Sequence, residues 1–130
     1  MSNLIGEIKQ SMVDLTENDK GEITALFIFS PDFTGFQGHF PNRAILPGVC
    51  IIQAVVIMHQ EWKKTKIKLR EIVMAKFFSS VSSGEKLTII SQEYGKKAGE
   101  ILVRASASSD GKKIAELQLK VVFEDERQKA

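Results

Sequence analysis

Val49-Cys50-Ile51-Ile52-Gln53-Ala54-Val55-Val56-Ile57-Met58 is a run of ten residues with one polar member, Gln53. Pro47-Gly48 stands before it, and Lys63, Lys64 and Lys66 follow Trp62. Proline suits a helix start and lysine its end, so the spacing predicts a helix over Val49 to Trp62. The apolar run is only about 15 Å long as a helix, too short to cross a bilayer. A helix that is apolar on every side must be buried on every side. Something has to wrap it.

The rest of the chain supplies the wrapper. Ile23 to Phe29 is rich in β-branched and aromatic residues and predicts a strand. Leu69 to Phe78, Lys86 to Gln92, Ile101 to Ser108 and Lys113 to Phe123 predict four more. Alternation is clearest in the last two. Ile101, Val103, Ala105 and Ala107 make one apolar face, and Ala115, Leu117, Leu119, Val121 and Phe123 make another. Ser109-Asp110-Gly111 joins them as a hairpin signal, and Ser83-Gly84-Glu85 and Gly95-Lys96-Lys97 are two further turn signals. The pattern is α+β, with a curved antiparallel sheet wrapped around one long central helix.

With 130 residues, 43% hydrophobic and 26% charged, the chain has the size and composition of one folded domain over 1–130. The charged end, from Glu124 to Ala130, is expected to fray. A net charge of +2 argues against a nucleic-acid binder, which needs a stronger basic excess. A single cysteine, Cys50, cannot form an internal disulfide, which fits a reducing compartment and a cytoplasmic protein. Cys50 itself reads as a small buried hydrophobe. Met1 to Gln10 carries Glu7 and Lys9 and does not read as a signal peptide, and no membrane association is expected. No Walker-type loop, C-x-x-C pair or H-x-x-x-H pair occurs, so neither a metal nor a cofactor is expected.

All three prolines, Pro31, Pro41 and Pro47, fall within residues 31–47. That stretch has no periodicity, yet it holds Phe33, Phe36 and Phe40, so it reads as a long ordered loop with a functional purpose. Within it His39 lies between Gly38 and Phe40-Pro41. A histidine there is either a base at neutral pH or a ring bonded to backbone. Pro47-Gly48 opens the helix, whose first N–H groups either serve as an ordinary helix start or bind a carbonyl oxygen and stabilise an enolate. Gly48 lets another group approach the backbone closely. A buried amide without a partner costs about 1–3 kcal/mol, so Gln53 needs a structural partner or a cavity to face. His39, the Gly48 amide and Gln53 are candidates to line one pocket. His59 points away from Gln53 and reads as a capping or surface residue, and Glu61 is too far along the helix to reach the same atom. Arg43 is either solvated or placed to meet a phosphate.

The stretch Gly38-His39-Phe40-Pro41, Leu46-Pro47-Gly48-Val49 and Gln53-Ala54 resembles the signature of the FabZ/FabA-type β-hydroxyacyl-ACP dehydratases. The family pattern is H-F-P-x-x-P-x-x-P-G-V with an acid 14 residues after the histidine. Ala75-Lys76-Phe77 and Val81 to Leu87 resemble two further family segments, and the I-L-P-G-V version is similar to the dehydratase-like branch of aryl polyene pathways. The resemblance implies the hot-dog fold, a sheet wrapped round a long helix. It implies that His39 removes the C2 proton of a 3-hydroxyacyl thioester carried by acyl carrier protein or CoA. The N–H groups of Gly48 and Val49 would bind the thioester carbonyl, with Phe40 and Pro47 beside the substrate. It also implies a homodimer, or a higher oligomer built on one, in which histidine and acid come from different protomers.

Three positions depart from the pattern. Ala44 and Ser83 each replace a proline, and Gln53 stands where the acid belongs. An amide donates a hydrogen bond but supplies no proton at pH 7. The expected activity is therefore a weak or altered dehydratase. The alternatives are a non-catalytic acyl-carrier-binding or heterodimer partner subunit, and a hot-dog acyl thioesterase. Gln53 removes the carboxylate that many such thioesterases use. Another hydratase branch of the fold has Asp five residues before His, where this chain has Thr34. Ile51, Ile52, Val55, Val56 and Phe77 are candidates to close the far end of an acyl pocket.

Overall fold

The computed structural model describes residues 3–36 and 45–124. Its elements are α1 (Leu4–Ser11), β1 (Met12–Glu17), β2 (Ile23–Ile28), a 3-10 turn (Thr34–Phe36), α2 (Gly48–Lys63), β3 (Ile67–Phe77), β4 (Lys86–Lys97), β5 (Glu100–Ser109) and β6 (Lys112–Phe123). The six strands form one antiparallel sheet in the order β1-β2-β4-β5-β6-β3. His39, Phe40, Pro41, Arg43 and Ala44 lie outside the described residues, as does the end of the chain beyond Glu124.

The helix and the sheet explain one another. Ile23, Ala25 and Phe27 of β2, Leu87 and Ile89 of β4, the four alternating residues of β5 and Leu117, Leu119 and Val121 of β6 are all buried. They close on Cys50, Ile51, Ala54, Val55 and Met58 of α2. Period-two strands and an apolar helix thus bury one common core. The helix begins at Pro47 and ends at Lys64, which adopts a left-handed conformation (φ 57°) and donates its N–H to Gln60 O. The Asp110-Gly111 hairpin is as expected, with positive φ at both residues (50° and 76°). The Phe-rich loop is anchored through ring contacts, Phe29 tilted against Phe33 (4.8 Å) and Phe33 edge to face with Phe36 (5.4 Å).

Three expectations need correction. The helix is not buried on every side. Val49 is 58% exposed, and Gln53 and Gln60 are half-buried along the same stripe. The sheet stops at β3, and α1 covers only part of what remains. Secondly, Gly95-Lys96-Lys97 is not a turn. β4 continues through a bulge at Gly95 to Lys97, and the reversal falls on Ala98 and Gly99, with φ of 54° and 81°. A Cβ at position 95 would lie 3.2 Å from the Leu102 side chain, so close packing across the bulge favours glycine there. Thirdly, Glu124 is not frayed, because its N–H donates to Lys66 O at 2.9 Å. Two elements lie outside what the sequence pattern predicts. α1 rests on an Asn3 side-chain cap and on fully buried Ile8, and β1 rests on pairing with β2.

Candidate active site at the start of the central helix

The start of α2 sits at the wall of a cleft of about 500 Å³ lined by Leu46, Gly48, Ile51, Phe77, Phe78, Ser79 and Ser80. Pro47 is the N-cap residue and offers no side-chain hydrogen bond to the first turn. The positive end of the helix dipole therefore meets the cleft without an internal anion. Phe77 lies over Gly48, so closely that a Cβ there would come within 2.7 Å of the ring. Glycine at this position lets the half-exposed Phe77 ring rest directly on the helix start. Ile51 and Phe77 line this cleft, whereas Ile52 and Val55 are buried in the core.

The chain reaches this point between two anchors. Before residues 37–44, Thr34 donates its N–H to Glu7 Oε1 (2.9 Å) and its O–H to Glu7 Oε2 (2.7 Å). These two bonds, the backbone one foremost, hold the Glu7 carboxyl below its ordinary range. After it, Ile45 bridges to Ser82, and Leu46 N–H donates to Val81 O at 2.8 Å. The Val81–Leu87 segment is itself pinned, with Gly84 N–H on Phe29 O (2.9 Å) and Ser82 N–H on Glu85 Oε1 (2.6 Å).

Gln53 lies elsewhere. It lines a second cleft, of about 430 Å³, with Ile5 of α1, Val56, Ile57 and Gln60 of α2, and Ile67, Lys68 and Leu69 of β3. The expectation that Gly48 and Gln53 of one chain line a single pocket is not met. Five residues of helix amount to one turn plus about 140°, which carries the two positions to different sides. Val56 lies with Gln53 rather than with Gly48.

Other titratable groups near the helix are accounted for. Cys50 is buried, and burial pushes its thiol up to about 11, so it is a packing residue as expected. Glu61 pairs with Lys9 of α1 at 3.3 Å. His59 is not a surface or capping residue. It is 2% exposed, and its Nε2 lies 2.7 Å from Ser91 Oγ on β4. Ser91 gives its one proton to Arg104 O (3.1 Å), which makes Nε2 the donor of the pair. His59 Nδ1 is then a buried acceptor without a partner among the described residues. Burial holds this imidazole down to about 4, Lys63 adding to the effect and Glu93 opposing it. No group of three or more potential metal ligands occurs among the described residues. None of their helices is long and apolar enough to cross a membrane.

Comparison with known proteins gives a consistent picture. Residues 15–118 match the ApeI-like family, described as the ApeI dehydratase. A 3-hydroxyacyl-[acyl-carrier-protein] dehydratase FabZ from Protochlamydia amoebophila is 33% identical over 118 residues, covering 85% of this chain and 75% of the relative. The FabZ of Ruminiclostridium cellulolyticum is 35% identical over 92 residues, 65% of each chain. Among solved structures, the dehydratase heterocomplex ApeI:P from Xenorhabdus doucetiae superposes with a TM-score of 0.74 at 22% identity, over 85% of this chain and 96% of that one. A hypothetical thioesterase with coenzyme A from Streptococcus pneumoniae shares the fold at a TM-score of 0.68 and 5% identity, over 93% and 94% of the two chains.

Proposed function

The chain belongs to the ApeI-like dehydratase family, with the hot-dog fold, and from that premise we propose that it removes water from a 3-hydroxyacyl thioester to give a 2-enoyl thioester. The observation that carries this reading is the uncapped start of α2 at the Gly48 cleft, reached directly from the His39 segment. His39 takes the C2 proton. The Gly48 and Val49 amides take the carbonyl oxygen, where negative charge develops as the enolate forms. Phe40 and Pro47 flank the thioester, and the Phe77 ring turns aside to admit it. Gln53 orients the leaving hydroxyl by hydrogen bonding. Lys112, whose Nζ lies 3.3 Å from Ser80 O, places positive charge at the cleft rim, which suits a phosphate-bearing carrier arm, whereas Lys113 beside Phe78 is paired with Glu116 at 3.0 Å. The decisive assay follows enoyl thioester formation from 3-hydroxyacyl thioesters. Turnover that disappears in His39→Ala is the expected result, and rates equal in both proteins would refute the reading.

The partner of Gln53 comes from a second protomer in this proposal. β3 is an edge strand, and Ile72, Val73, Phe77 and Phe78 on or beside it are exposed, as is Val49 on the adjoining helix. An uncovered apolar edge is a liability that pairing across a two-fold axis removes. Such pairing supports one chain's Gly48 cleft meeting the other's Gln53. Light scattering is expected to show a dimer, and a monomer would refute the shared site. A second reading rests on Gln53 itself. With no proton to give, the chain can serve as the half that supplies the base while a homologous subunit supplies the acid, an assembly for which the ApeI:P heterocomplex offers a parallel. Activity that arises only on mixing with such a subunit would favour this version.

A further inference from the structure

We propose that Glu7 is a positioning residue, whose carboxylate fixes the turn at Thr34 from which the chain runs on to His39; the proposal rests on the dehydratase reading above. α1 has a ready structural role in covering α2, through buried Ile8 and the Lys9–Glu61 pair. Neither contact involves Glu7. Its side chain reaches across 27 positions of sequence to Thr34 and there takes both the backbone N–H and the hydroxyl, at 2.9 and 2.7 Å. Two bonds to one residue fix orientation as well as distance, and bonds to a carboxylate are stronger than neutral ones.

The turn held by Glu7 is tight on its other sides. Phe33 and Phe36 are buried, their rings edge to face. Gly35 between them has no room for a Cβ, which would lie 2.4 Å from the Phe33 ring and 3.1 Å from Cys50 Sγ in the first turn of α2. The 3-10 turn is therefore held between Glu7 on one helix and Cys50 on the other. His39 follows Thr34 by five residues and precedes Ile45, which bridges to Ser82, by six. Loss of the Glu7 contact frees the turn from which the chain runs on to His39, while the hydrophobic core remains intact. A displacement of about 1 Å in a reacting group can cost on the order of 10²-fold in rate.

The test compares Glu7→Ala, Glu7→Gln, Thr34→Val and Thr34→Ser, using 3-hydroxyacyl thioesters of CoA and of N-acetylcysteamine. Glu7→Ala and Thr34→Val are expected to lower kcat by roughly 10-fold to 10²-fold with KM changed less than about threefold. Thr34→Ser, which keeps both donors, restores the rate. Glu7→Ala combined with Thr34→Val loses no more than the worse single change. The ring resonances of His39 in the NMR spectrum shift in Glu7→Ala, and those of His59 do not. Thr34→Val removes one hydroxyl only and keeps the test open where Glu7→Ala fails to fold. A lower melting temperature with unchanged kcat overturns the proposal, as does an unmoved His39 resonance. If the wild-type chain turns over neither thioester, the dehydratase reading fails by itself. The His39 resonance then decides the role of Glu7, a shift supporting it and an unmoved signal overturning it.

Discussion

Gln53→Glu is expected to raise the rate of dehydration by about 10²–10⁴-fold, the ordinary worth of a general acid. Hydroxide is a poor leaving group, and an amide cannot protonate it. The position is prepared for a carboxylic acid. Ile5, Val56, Ile57, Ile67 and Leu69 surround Gln53 and disfavour a charged carboxylate, as does Glu124 in the same cleft, while Lys68 favours it. The apolar majority is expected to raise a glutamate there above its usual range, toward the neutral form that a proton donor needs. Because Gln53 is only half-buried, the fold should tolerate the change. The check is the growth of enoyl thioester absorbance in wild type and variant at equal concentration. A folded, dimeric Gln53→Glu with no gain would mean that the missing acid is not what limits the chain, and would favour the partner-subunit reading.

Stability is expected to fall by as much as about 3 kcal/mol as pH drops from 6.5 to 4, from His59 alone. The folded protein holds this imidazole neutral down to about 4, whereas the unfolded chain takes up a proton near the ordinary 6.5. Between those values the unfolded state binds more protons, so acid favours unfolding. The contribution is fully present above pH 6.5. Glu7 and Asp32, whose carboxyls are also held low, act only below the ordinary carboxylate range. Among the described residues, the upper part of the slope, from pH 6.5 to about 5.5, therefore belongs to His59. Urea unfolding across that range measures it, and His59→Met, similar in bulk and without a titrating ring, should flatten it. An equally steep slope in that variant would show another group to be responsible.

What the residues reveal unaided follows from where each element gets its stability. The bounds of α2 were predictable to within a residue because Pro47 and the lysines mark them and its apolar run is unmistakable. β5 and β6 follow from strict alternation and from Asp110-Gly111, which takes the positive φ that such a turn demands. α1 contains Gly6 and is only eight residues long, so local propensity cannot support it; Asn3 and the surface of α2 do. The turn after β4 uses Ala98, a residue with no preference for a left-handed backbone, while the nearby Gly95 serves packing instead. For the site, helix geometry alone separates Gly48 from Gln53, since five residues cannot bring them to one side. It also turns His59 away from Gln53. It cannot show that Ser91, 32 positions later, is waiting for that ring.

The order of strands in the sheet governs how the chain must be made. β3 is synthesised before β4 and β5, yet among the described strands of its own chain its only neighbour is β6, the last of them, with Ile67 opposite Phe123 and Phe77 opposite Ala115. Until β6 leaves the ribosome, β3 has no partner. One flank of the apolar helix stays uncovered for the same interval. Pairings this distant in sequence are slow to close, and unpaired strands beside bare apolar surface are where aggregation starts. The wrap around α2 thus waits until β6 has been made, and truncation within β6 removes the step that completes it.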